Sequence, residues 1–91
     1  FYCHSGKFKH FKIMDSSQIA AIVRFHRKKS GLTQLELGKL AGIGKTVVFD
    51  IENGKLSVRL NSLLKVMNVL NIKLEFQSQL MTLFEEQNEK S

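Results

Sequence analysis

Residues 33–54 read TQLELGKLAGIGKTVVFDIENG, and this stretch decides the fold. It opens with Thr33-Gln34-Leu35-Glu36, a capping box: the Thr33 hydroxyl accepts from the Glu36 amide while the Glu36 carboxylate reaches back to the Thr33 amide. Leu37, Leu40 and Ala41 then form an inward face, and Gly42 stops the helix. Ile43-Gly44 leaves room only for a turn before a second helix over residues 45–53, which turns Val48 and Ile51 inward and ends at Asn53-Gly54.

On the amino side, Asp15, Ser16 and Ser17 offer capping oxygens, and Ile19, Ile22, Val23 and His26 follow at helical spacing. Arg24, Arg27, Lys28 and Lys29 fall in the last turns, where cations suit the helix dipole, and Gly31 ends the element. On the carboxyl side a helix is predicted over residues 60–70, burying Leu60, Leu63, Leu64, Val66, Met67 and Leu70, with Asn71 at its end. Residues 72–77 alternate apolar and polar, so Ile72, Leu74 and Phe76 face one side of a predicted strand. Residues 15–91 contain no second alternating segment, and a lone short strand needs a partner. Two copies pairing antiparallel across a two-fold axis would supply it.

The remaining ends are less patterned. Residues 78–91 hold an apolar cluster, Leu80, Met81, Leu83 and Phe84, before a polar end. Residues 1–14 show no period and start with Phe1. Either Met14 is the natural start and the preceding stretch a cloning remnant, or Lys7, Lys9, His10 and Lys12 form a basic arm for phosphates.

Composition bounds what the chain can do. Its 91 residues make one domain, read as an arm or remnant (1–14), a body (15–77) and a tail (78–91). The single cysteine, Cys3, permits no internal disulfide, so a reducing cytoplasmic setting is the simple expectation. Apolar runs are far shorter than a membrane span, and no partnership with a membrane is expected. His4, His10 and His26 lie far apart, and with one cysteine they make no zinc site. Neither a nucleophile–base arrangement nor a phosphate-cradling glycine loop is visible, so no enzyme, cofactor or metal is expected. Residues 1–77 hold thirteen of the fourteen Lys and Arg but only five of the eight Asp and Glu. Such a basic body suits nucleic acid, because lysine and arginine displace counterions condensed on phosphates.

Two short helices about a glycine-containing turn, set among other helices, form the unit that lays one helix in a DNA major groove. Its first helix anchors a phosphate at its amino end, where Thr33 and Gln34 stand. The second must present short or polar side chains outward, and Lys45, Thr46, Phe49 and Asp50 form that outward set. Lys45 suits guanine O6 and N7. Phe49 either packs on a thymine methyl or turns inward. Asp50 either accepts from cytosine N4 or is simply a solvated acid; both readings stand.

Arg27 through Gln34, then Leu37, Ala41-Gly42-Ile43 and Ile51 through Lys55, resemble the Xre/Cro-type helix-turn-helix repressors of bacteria and phages. The combined pattern spans residues 23–70, and the continuation over 58–67 with the strand 72–77 is similar to HipB-like antitoxins. The resemblance implies an all-α, phage-repressor-like bundle of four or five helices, with one carboxyl-terminal strand pairing across a homodimer. It implies that Gln34 holds a phosphate, that Lys45, Thr46 and Asp50 face base edges with Phe49 between them, and that Asn53 and Lys55 contact the backbone beyond. Arg27 and Glu52 would form an internal ion pair. Two departures are visible: Gly44 replaces the usual Ser or Thr opening the second helix, and Phe49 replaces a small polar residue.

The function so implied is a repressor of double-stranded operator DNA, an antitoxin that represses its own operon and binds a HipA-like kinase toxin. The alternatives are a free-standing phage-type repressor without toxin partner and a protein-interaction adaptor.

Overall fold

Asp15 starts the first helix in the way its side chain favours: its carboxylate accepts from the Gln18 amide at 2.9 Å. The computed structural model describes residues 15–90, with side chains through Asn88. Helix α1 spans Ser16–Lys29, α2 Gln34–Ala41, α3 Lys45–Glu52, α4 Leu60–Val69 and α5 Met81–Lys90. The expectations on Cys3, His4 and the basic arm lie outside the described residues.

The capping box of α2 is complete. Thr33 Oγ1 accepts from the Glu36 amide at 3.1 Å, and Glu36 Oε1 accepts from the Thr33 amide at 2.9 Å. Gly42 takes a left-handed φ of 74° at the end of α2. The Ile43 amide then reaches back to the Gly38 carbonyl at 2.8 Å, so the turn folds tightly under the helix it leaves. Helix α3 starts from Gly44 without any side-chain cap. Helix α4 ends at Asn71 with φ 60°, and the Ile72 amide closes on the Met67 carbonyl at 2.8 Å.

Val23 of α1, Leu37 and Ala41 of α2, Val48 and Ile51 of α3, and Val66 and Leu70 of α4 form one core. Leu32, Ile43, Val47 and Leu63 pack around it. Burying each of the Val, Leu and Ile side chains contributes about 1.5–3 kcal/mol, so α1–α4 hold one another in place. Helix α5 is not among the packed pairs, which are α2 with α3 and α4, α1 with α3, and α3 with α4.

One sequence expectation is corrected here, and another is not seen in the single chain. Leu40, Leu60 and Leu64 are exposed and not core, because α2 and α4 spend their inward faces on Leu37, Ala41, Val66 and Leu70. Periodicity marks a helix's apolar side but not how much neighbouring surface exists to cover it. Residues 72–77 form no strand in the single chain, and no strand occurs among the described residues. A strand is defined by inter-strand hydrogen bonds, and one copy supplies no second edge.

Candidate nucleic-acid interface

Helix α3 is held by its inner face and its last residue. Val48 and Ile51 enter the core, and the Glu52 carboxylate, only 4% exposed, sits beneath α1 and α2. Arg27 Nε donates to Glu52 Oε2 at 2.6 Å and Nη2 to Oε1 at 3.0 Å, a two-pronged grip. Its Nη1 donates to the Leu32 carbonyl at 2.9 Å. Gln34 Nε2 donates to Glu52 Oε1 at 3.1 Å. One carboxylate therefore ties the end of α1, the start of α2 and the end of α3.

The charge state follows from these contacts. Burial pushes the Glu52 carboxyl up, but the hydrogen bonds from Arg27 and Gln34, with the nearby charges of Arg27 and Arg24, outweigh it. The carboxyl is held below its usual range, and Glu52 raises the already high value of Arg27 in return.

The opposite face of α3 is open. Lys45 and Thr46 are exposed, and Phe49 is 52% exposed, so its ring is turned outward and not into the core. Asp50 is half-buried at the edge of this face, and its Oδ2 lies 3.6 Å from Lys55 Nζ. The Lys55 amide also donates to the Asp50 carbonyl at 3.0 Å. Asn53 caps its own helix, Nδ2 donating to the Phe49 carbonyl at 2.7 Å. Thr33 is exposed, its hydroxyl engaged with the Glu36 amide, and Gln34 is half-buried by its bond to Glu52. Lys45, Thr46, Phe49 and Asp50 thus share α3, with Asn53 and Lys55 directly after it. Leu74 and Phe76 lie beyond α4, exposed, while Ile72 packs against the core.

Two positions escaped sequence reasoning. Gly38 faces the turn so closely that a Cβ there would lie 2.9 Å from the Ile43 carbonyl oxygen. Nothing local in the sequence marks it, since the constraint comes from the returning chain. Arg59, the residue before α4, lines a cleft with Asp50, Lys55 and Ser57, adding a second cation beyond α3. A basic residue just ahead of a predicted helix was the available signal. No group of three His, Cys, Asp or Glu side chains placed to hold a metal occurs among the described residues. None of the described helices is long and apolar enough to cross a membrane.

The family model of helix-turn-helix proteins matches residues 23–77. The chain is 33% identical over 64 residues to an uncharacterized HTH-type transcriptional regulator, y4mF, of Sinorhizobium fredii, covering 70% of this chain and 84% of that protein. It is 29% identical over 62 residues to the ImmF control region 10 kDa protein of Bacillus phage phi105, covering 68% and 69%. Among solved structures it is similar to a HipB-O4 20mer complex, with a TM-score of 0.67 and 26% identity over 75% of this chain and 96% of that one. A chain of a HipA-HipB-O2-O3 complex matches with the same TM-score, 0.67, the same 26% identity and the same coverage, 75% and 96%. With the family model matched over residues 23–77 and these relatives, the chain belongs to the Xre-type family of helix-turn-helix transcriptional regulators.

Proposed function

We propose that this regulator is a repressor that binds a two-fold operator as a homodimer, and that it is the antitoxin of a HipBA-type operon, silencing that operon and binding a HipA-like kinase. The observation that carries the DNA half is the outward set on α3, backed by a buried carboxylate that fixes the helix's pose. Lys45, Thr46, Phe49 and Asp50 read base edges in the major groove. Thr33, Gln34, Asn53 and Lys55 hold phosphates on either side. Gln34 keeps a second amide hydrogen for this purpose, because a primary amide has two donors and Glu52 takes one. Arg59 joins Lys55 at the far phosphate. Support for the kinase half is the similarity to a chain of a HipA-HipB-O2-O3 complex.

A gel shift with the DNA upstream of its own gene tests the first half. Retention of that DNA over random duplex at physiological salt is expected; equal retention of both rejects operator reading. Co-purification with the product of the adjacent gene, and kinase sequence in that gene, tests the second. The similarity to the ImmF control region protein favours a free-standing phage-type repressor instead. Operator binding without any kinase gene alongside would decide for that reading.

A further inference from the structure

We infer that α5 of one copy docks in the groove beside α4 of its partner, making a second, helix-in-groove contact between the two chains. This rests on the homodimer proposed above, with its two chains taken to pair through residues 72–77. Antiparallel pairing of residues 72–77 sets residue 77 of one strand beside residue 72 of the other. The chain leaving each strand is thereby delivered to the partner's Ile72, not to its own. The connection is short: Ser78 folds it at once, its hydroxyl accepting from the Leu80 amide at 3.2 Å and its carbonyl from the Met81 amide at 3.3 Å. Helix α5 therefore begins next to the partner's residue 72.

A groove lies there. Leu64, Met67, Ile72 and Leu74 line it, with Lys65 and Lys73 against the single acid Glu75, and it measures about 640 Å³. Leu80, Leu83 and Phe84 lie three and four residues apart, so they form one face of α5 and its entry. They are 67%, 57% and 57% exposed in the single chain, which leaves this apolar face uncovered. Glu85 and Glu86 stand on the other sides of the helix. The apolar stripe matches the groove's apolar floor, Glu86 falls to the side of that stripe where Lys65 or Lys73 at the groove's edge can meet it, and a second copy carries both halves.

The test is site-directed cross-linking in the full chain with Cys3→Ser. Chains bearing Leu83→Cys are mixed with chains bearing Leu64→Cys and treated with a short bismaleimide. Glu85→Cys, on the far side of α5, serves as the control partner for position 64. Circular dichroism melts verify that each variant folds, which is expected because all three positions are exposed. The expected result is a cross-linked pair between positions 83 and 64, formed at least tenfold faster than between 85 and 64. Equal rates mean that α5 is only tethered nearby, and overturn the inference. Faster joining of positions 64 and 83 within one chain carrying both substitutions means that α5 serves its own groove, and also overturns it. Light scattering on the same samples separates the two levels: a dimer without the 83–64 product defeats only the α5 contact, whereas a monomer throughout defeats the strand-paired dimer and the contact together.

Discussion

Gln34 is bonded to Glu52: its Nε2 lies 3.1 Å from the carboxylate oxygen that Arg27 Nη2 also holds, at 3.0 Å. The first helix of the DNA-binding unit and the last residue of the second are thus joined through one buried group. The separation between the proposed phosphate anchor and the proposed base-reading face is set by that joint as well as by the turn between the helices. Loss of the carboxylate should therefore disturb both stability and DNA binding.

Glu52→Gln removes the charge and keeps the shape. Arg27, whose side chain is only 12% exposed, would be left without its counter-charge. Breaking one partner of a buried pair costs about 3–5 kcal/mol, and the modest exposure of Arg27 places the expected loss near the lower end, about 3 kcal/mol. The pH dependence has a defined sign. The folded carboxyl titrates below its unfolded value, so its contribution is fully present above about pH 4.3 and is lost as pH falls through the lower folded value. Thermal melts from pH 7 to pH 2 should show the two proteins converging in acid. A gap that persists unchanged at pH 2 contradicts the assignment.

Lys55 contacts Asp50 as well as the proposed phosphate, and this makes its removal informative. Lys55→Ala should lower affinity for operator and random DNA alike, and reduce the salt slope by about one unit. It also frees Asp50 to repel phosphate, since the 3.6 Å pair is gone. Lys55→Ala with Asp50→Ala should then bind random DNA better than Lys55→Ala alone. Gln34→Ala should weaken all sequences alike while leaving the salt slope unchanged, because it removes no charge. Filter-binding titrations across salt settle all three, and a variant that loses only operator preference would reassign its residue to base reading.

Gly38→Ala puts a Cβ 2.9 Å from the Ile43 carbonyl oxygen, and backbone on the far side cannot rotate away. The turn must shift, at a cost of about 1–3 kcal/mol by the measure of overpacked sites. Because α3 hangs from that turn, operator affinity should fall further than stability alone explains. Gly42→Ala is the contrast: its Cβ meets nothing within 4 Å, so only the left-handed φ of 74° is strained, worth about 1–2 kcal/mol. Melting and gel-shift measurements on both variants should separate the two effects; equal operator loss at equal stability would show that the Gly38 contact does not set the pose of α3.

What was legible in the sequence was local. Thr33 and Glu36 are three residues apart and announce their helix start unaided, and Gly42 and Asn71 mark their stops in the same way. The Gln34–Glu52 bond spans eighteen residues and depends on two helices meeting, so no spacing revealed it. Leu40, Leu60 and Leu64 carry the helical period yet remain exposed, because a small bundle has too few faces to bury every apolar position. Within the tail over residues 78–91, Met81–Lys90 is the fifth helix that the bundle of four or five allows. Its apolar cluster was visible in the sequence, but its side chains Leu80, Leu83 and Phe84 remain exposed in the single chain.

Residues 72–77 offer the sharpest link from structure to the proposed function. Leu74 and Phe76 are exposed and two residues apart, so in an extended chain they point to one side, with Ile72 anchoring the segment to the core. Pairing with a second copy would bond the backbone groups of residues 73–77 and cover both side chains. The same axis would set the spacing of the two α3 helices, which half-site reading requires. Leu74→Asp with Phe76→Asp should therefore give a folded monomer, since neither residue belongs to the core that holds α1–α4. Its operator affinity should drop by at least about tenfold, the equivalent of about 1.4 kcal/mol, while each single copy still binds random DNA weakly. Size-exclusion chromatography with light scattering reads the first outcome, and a gel shift on the same preparation reads the second. A double variant that stays dimeric and binds its operator normally would place the dimer contact elsewhere, with the exposed Leu40, Leu60 and Leu64 the next surface to substitute.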